Sequence, residues 1–166
     1  YQLRLSQRGS SVAVTPFMVA FSDQYAVAKL EDIVSLLRYF APPDTLRALV
    51  NAPAEQRGPL WQQFWRNTDP NPATPENEAI DEYLRRVQVS NDRFRDESIP
   101  GWLTERGEVY INLGEPSEVR ENRGDATGRG RQILWSYQDY RLTLLFYDDT
   151  GFGRLRLEPR SRSEFL

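Results

Sequence analysis

The chain has no cysteine and no histidine, and Lys29 is its only lysine. Lack of cysteine removes disulfides, thiol nucleophiles and iron–sulfur ligation, and lack of histidine removes imidazole bases and most zinc sites. What remains for catalysis is carboxylates, tyrosines, serines, threonines, Lys29 and arginines. These suffice for glycoside hydrolysis or a carboxylate-bound magnesium or calcium ion, but no spacing announces either. No apolar run approaches the ~20 residues of a membrane-spanning helix. A basic excess is also missing. The formal net charge of −3 and pI near 5.1 argue against a general nucleic-acid binder, which needs a cationic face. No leader peptide is visible, but a start at Tyr1 reads as a piece of a longer chain, so this says little about export.

With 166 residues, 39% of them hydrophobic, the chain can bury one core. All its basic residues but Lys29 are arginines, which suits planar, bidentate contacts but is explained more simply by an arginine-preferring genome. Alternation in Tyr1, Leu3 and Leu5 and again from Val12 to Phe21 predicts two strands, either the end of a preceding β domain or an edge hairpin. Ser22-Asp23 caps a predicted helix carrying Val27, Leu30, Val34, Leu37 and Phe40, ended by Pro42-Pro43. Further helices are expected over 44–50 and 55–66, the latter with Leu60, Trp61, Phe64 and Trp65 as its apolar face. Three prolines break residues 67–75. A long helix is then expected with Thr74 as N-cap and Pro75 as its first residue, ending near Arg95.

After Ile99-Pro100-Gly101 the pattern reads as alternating. Residues 108–113 are predicted as a strand bracketed by Gly107 and Gly114, residues 114–117 as a turn, and 121–130 as a polar loop. Strands over 132–137, 141–147 and 154–157 follow, separated by turns. The predicted fold is α+β: an N-terminal β-hairpin, three to four helices, and a C-terminal antiparallel β-meander packed on the helices. The corresponding segments are 1–22, a main domain over 23–160 and a tail over 161–166.

The stretch Gly101-Trp102-Leu103-Thr104-Glu105-Arg106-Gly107, followed by Gly114-Glu115-Pro116, resembles the signature of the GWxTD domain. The resemblance extends to Phe64-Trp65, Asp69-Pro70, Pro72, Thr74, Asn77, Arg86-Val87 and Asn91 to Phe94, so it covers nearly all of 23–157. It implies a bacterial, exported protein without an assigned activity. Glu105 stands where the family name carries Asp, and the extra methylene puts a strict catalytic role there in doubt. A looser likeness of Glu118-Val119, Trp135-x-Tyr137 and Leu142-x-Leu144-x-Phe146 to small outer-membrane lipoproteins that assist barrel assembly implies an envelope setting.

Trp65, Asp69, Asn77, Gly101, Trp102, Thr104, Glu105, Arg106, Gly107, Gly114 and Pro116 are the candidate residues. They act either as a fold staple, with Arg106 clamping a carboxylate such as Asp69 and Trp102 covering the helix–sheet junction, or as a groove for a sugar or a peptide carboxylate. The staple is favoured, because no nucleophile or imidazole lies nearby. Asp148-Asp149-Thr150-Gly151 lacks a spaced third ligand and reads as a turn rather than a calcium site. No metal or cofactor is expected. The reading is therefore a noncatalytic protein-interaction or scaffolding domain of an exported envelope protein, with a protein partner. Its alternatives are a carboxylate-based glycan hydrolase and a carbohydrate-binding module presenting an aromatic platform on the meander.

Overall fold

The computed structural model describes residues 2–4, 14–16, 30–96, 98–126, 130–148 and 150–166. The fold is α+β, with six helices and a four-stranded antiparallel sheet among the described residues. Two compact units, residues 1–80 and 81–166, make up the chain.

In the first unit, β1 (Gln2–Arg4) and β2 (Val14–Pro16) pair antiparallel, with Leu3 opposite Thr15. The rest of the expected hairpin and the Ser22-Asp23 cap lie outside the described residues. Helix α1 (Leu30–Leu36) stops before the predicted Phe40, and the chain turns through residues 37–40 with the Phe40 amide donating to the Leu37 carbonyl at 2.8 Å. Pro43 then opens α2 (Pro43–Asn51), where a residue without N–H sacrifices no hydrogen bond. The last carbonyls of α2 are orphaned by the helix geometry, and Arg57 of α3 (Ala54–Thr68) covers them: Nε donates to the Ala52 carbonyl at 2.9 Å and Nη2 to that of Val50 at 3.1 Å. Val34, Leu37, Leu46, Leu49 and Phe64 are buried, and the Phe64 ring lies 6.2 Å from Phe40 and 5.5 Å from Trp61. Of these, Val34, Leu37 and Phe64 are positions that helical spacing marks.

Helix α4 (Glu78–Phe94) begins three residues later than predicted, and its cap is Asn77 rather than Thr74. The Asn77 Oδ1 accepts the Ile80 amide at 3.1 Å, which satisfies a first-turn donor. Its Nδ2 donates backward to the Trp65 carbonyl at 2.9 Å and to the Thr68 hydroxyl at 3.0 Å. One side chain, 0% exposed, thereby ties the end of α3 to the start of α4 across the proline-rich break. Thr74 instead bonds the Asn71 carbonyl and the Glu78 carboxylate on the surface.

The second unit starts inside α4. A 3₁₀ turn (Gly101–Leu103) leads into α5 (Glu105–Leu113), where a strand was expected over 108–113. Val109, Tyr110 and Ile111 have strong β propensity, but the ends decide: the Thr104 hydroxyl accepts the Gly107 amide at 3.1 Å, Glu105 and Glu108 occupy the first turn, and Gly114 terminates the helix at φ +80°. Strands β3 (Glu118–Asn122), β4 (Arg131–Tyr137), β5 (Leu142–Asp148) and β6 (Arg156–Leu157) form a meander in chain order. The expected loop over 121–130 overlaps the last two residues of β3, and no element is expected over 118–120. β3 is an edge strand exposed along its whole length, so it carries no alternation to read. Residues 161–166, read as a tail, belong almost entirely to α6 (Pro159–Phe165), which the Glu158 carboxylate caps through the Ser161 amide.

Ile133, Trp135 and Tyr137 of β4 and Leu144 and Phe146 of β5 face the same side of the sheet, where they pack against Phe94, Val109 and Tyr110. Phe165 of α6 joins them, so α4, α5 and α6 cover one sheet face. Trp135 sits 5.3 Å from Phe94 and 4.8 Å from Phe146, ring centre to ring centre, in tilted and edge-on contacts that favour aromatic pairs.

Replacing Asn77 by Ala should lower stability by about 2–3 kcal/mol, through loss of the cap and of the two hydrogen bonds back to α3. Thr74→Ala should stay within about 0.5 kcal/mol. Thermal unfolding of both variants checks this, and the reverse order would contradict the cap assignment.

Candidate functional site

The signature turn is built on backbone contact. A β-carbon at Gly101 would lie 1.9 Å from the Ser90 carbonyl oxygen in α4, and one at Gly107 would lie 1.9 Å from the Gly101 carbonyl oxygen. Helix α4, the 3₁₀ turn and α5 are therefore stacked with no room for a side chain between them. Thr104 fastens the stack: its hydroxyl donates to the Gly101 carbonyl at 2.7 Å and accepts from Gly107. Asn91 Oδ1 takes the Trp102 amide at 3.2 Å. Trp102 itself is half-buried and stands outside the sheet-facing core, so its backbone is anchored more firmly than its ring.

Arginines close the other end of α5. Arg86 Nη1 donates to the carbonyls of Ile111 and Asn112 at 3.2 and 3.3 Å, and Arg93 grips Glu115 through both nitrogens at 2.5 and 2.9 Å. Gly114 offers its carbonyl to the Tyr137 hydroxyl at 3.1 Å, and Pro116 is buried just beyond. Arg162 of α6 reaches the first turn of α5, where it bonds Glu108 at 2.7 Å and Glu105 at 2.9 Å, and these carboxylates, Glu108 foremost, raise its proton affinity. The second oxygen of Glu105 accepts the Leu157 amide in a short hydrogen bond. The extra methylene of glutamate at this position thus reaches both a strand amide and a guanidinium.

Beside this turn lies a pocket of about 300 Å³. Phe94, Ile99, Leu103 and Leu155 supply apolar walls, and Asp96, Glu105, Arg106, Arg154 and Arg156 supply charge. Arg106 is the unusual member. Its Cζ stands 5.3 Å from the centre of the Phe94 ring, and its buried Nε has no hydrogen-bond partner. Burial pushes its guanidinium below its ordinary value, and nearby Arg131 acts in the same direction, against Glu121 and Asp96. Arg131 is itself paired to Glu121 at 2.8 Å. Asp96 approaches Arg154 at 4.0 Å.

One residue from the lining Gly153, Phe152 projects 86% exposed. The turn that carries it is organised by Asp148, which is 1% exposed. Its Oδ1 accepts the Thr150 amide and hydroxyl and the Gly151 amide at 2.7–3.0 Å, and its Oδ2 accepts the Gly153 amide at 2.6 Å. Burial alone would raise the Asp148 carboxyl, but these donors outweigh it and hold the group below the usual carboxylate range. Both oxygens serve the turn, and no group of three metal-ligating side chains occurs among the described residues.

Of the residues marked in the sequence, Gly101, Trp102, Thr104, Glu105, Arg106, Gly107, Gly114 and Pro116 gather around α5, whereas Trp65, Asp69 and Asn77 belong to the first unit. Asp69 there accepts the Asn71 amide at 2.8 Å in a local turn. Sequence reasoning missed Ser90, Asp96, Phe152 and Arg162. A large apolar residue between two glycines was a readable signal at Phe152, but nothing in the sequence links Arg162 to partners more than 50 positions away.

These features define an α+β domain organised by a glycine-stacked turn between a long helix and a short one. The chain belongs to the GWxTD domain family, whose sequence model matches residues 3–149. No curated protein and no solved structure matches it. Among the described residues no helix is long and apolar enough to cross a membrane.

Gly101→Ala should cost roughly 3 kcal/mol, the upper range for overpacking, because the obstacle is backbone rather than a movable side chain. A melting temperature within a degree of the parent would contradict the stack. For Asp148 the folded-state pKa is depressed, so its stabilisation is present above the unfolded value near 4 and disappears as pH falls through the folded value. Stability measured from pH 6 to pH 2 should fall over that window, and Asp148→Asn should flatten part of the fall while lowering stability at neutral pH by about 1–3 kcal/mol.

Proposed function

We propose that this chain is a noncatalytic protein-interaction or scaffolding domain of an exported bacterial envelope protein. The observation that supports it is the state of the pocket carboxylates. Glu105 is held by the Leu157 amide and Arg162, and Asp96 faces Arg154. A glycosidase needs two carboxyl groups about 5–10 Å apart, one free to deliver a proton and one free to attack or to activate water. Arg106 is a recognition group instead, since a guanidinium keeps its proton throughout the working pH range and offers a planar fork of donors.

The carbohydrate-binding alternative needs an aromatic platform. Trp135, Tyr137 and Phe146 point into the core, and the open rings on the meander are Tyr140, 59% exposed, in the β4–β5 turn and Phe152 in the β5–β6 turn, with Tyr147 half-buried. The setting rests on the family resemblance, which implies export from a bacterial cytoplasm.

Two assays test the reading together. The chain incubated with peptidoglycan and with neutral and acidic polysaccharides should release no reducing ends above the blank. A photo-crosslinker carried at exposed surface positions in the native host should give an adduct in the envelope fraction, reproducible with the purified partner. Reducing-end release that disappears on Asp96→Asn, with the melting temperature unchanged, would move the assignment to the hydrolase.

A further inference from the structure

The pocket and the exposed phenylalanine next in sequence to its lining Gly153 invite a more specific assignment. The arginines that hold the second unit together, Arg86, Arg93 and Arg162, each have a carbonyl or carboxylate acceptor. Arg106 differs, because it is largely withdrawn from solvent yet leaves its Nε without an acceptor. Its Nε is sealed from solvent, so the atoms that an arriving acceptor meets are the outer nitrogens of the same guanidinium, which have no hydrogen bond or ion pair among the described residues. The charge balance fits an anion: three arginines line the pocket against two carboxylates, and Arg162 already neutralises Glu105. Apolar walls and a partly exposed Leu103 surround the guanidinium, so the complementary ligand carries one carboxylate flanked by apolar groups.

Phe152 points to the same kind of ligand. A buried carboxylate accepting four hydrogen bonds is an elaborate support for a turn whose outermost side chain is an almost fully exposed ring. The hydrogen bonds fix the backbone beneath the ring, so binding there has only the side chain's own torsions left to order.

We propose that the pocket beside the signature turn docks an extended segment of a partner protein, with an acidic side chain held by Arg106 and neighbouring apolar residues against Leu103 and Phe152. This rests on the reading of the domain as a protein-interaction module. A uronic-acid sugar shares the carboxylate, and the apolar walls at Phe94, Ile99, Leu103 and Leu155 are what favour a peptide with apolar neighbours.

The probes are a blocked pentapeptide with a central glutamate between leucines, the same peptide with glutamine, and an oligosaccharide of uronic acid. Each is titrated into the full chain while the Arg106 guanidinium resonance is followed by NMR. The glutamate peptide should shift that resonance and bind about tenfold or more tightly than the glutamine peptide, the factor expected for one charge-assisted pair. Phe152→Ala should weaken both peptides and preserve their ratio, whereas Arg106→Gln should bring the ratio to one. If Arg106→Gln fails to fold, the resonance shift in the unmodified chain decides. An unmoved Arg106 resonance, equal affinity for the two peptides, or a response to the uronic-acid oligosaccharide alone would overturn the proposal. If crosslinking still yields a reproducible partner while Arg106 is unmoved, this pocket assignment fails and the interaction reading stands.

Discussion

The carbonyl oxygen of Ser90 occupies the space where a β-carbon of residue 101 would be, and the second unit depends on that contact. Once Gly101 lies against α4, its own carbonyl receives the Thr104 hydroxyl and presses on Gly107, so the start of α5 is positioned by backbone contact and one side-chain clasp. With α5 placed, Val109 and Tyr110 reach the sheet core, and Phe94 meets Trp135. A side chain at either glycine would push the helices apart and break the aromatic contacts above them, because a close-packed interior has no slack to absorb the displacement. The signature is thus largely a description of how two helices touch.

Arginine completes what glycine begins. Arg57 and Arg86 cover the terminal carbonyls of α2 and α5, and Arg162 spans Glu105 and Glu108 at once. A lysine ammonium, a point donor on a flexible stem, does not reproduce a fork that serves two acceptors in fixed directions. Genomic preference therefore does not fully account for the near absence of lysine. The more exposed pairs, Arg47 with Asp44 and Arg120 with Glu118, add little, since solvent screens them. Against this background Arg106 is notable for its unmatched Nε.

How much could be read in advance followed from where burial leaves a pattern. Helix α3 and most of α4 were legible because their apolar positions recur at helical spacing, and β4 and β5 because burial alternates along them. Val109-Tyr110-Ile111 misled: three consecutive buried residues with β preference lie in a helix because its two ends, at Thr104 and Gly114, outweigh local propensity. Those end signals were in the sequence. β3 is exposed throughout and gave no period, and α6 is polar and short enough to pass for a tail. The candidate residues were legible through the family resemblance. Their roles were not, because the partners of Gly101, Glu105 and Arg86 are set by tertiary contacts 11 to 57 positions away.

Amide hydrogen exchange tests the central claim most directly. If the backbone stack is part of the core, the amides of Trp102, Thr104 and Gly107 should exchange only through global opening of residues 81–166, with the same free energy as Leu144 and Phe146. Exchange at loop rates, while the sheet amides remain protected, would show the signature turn opening on its own and would contradict its role as the element that holds the unit together.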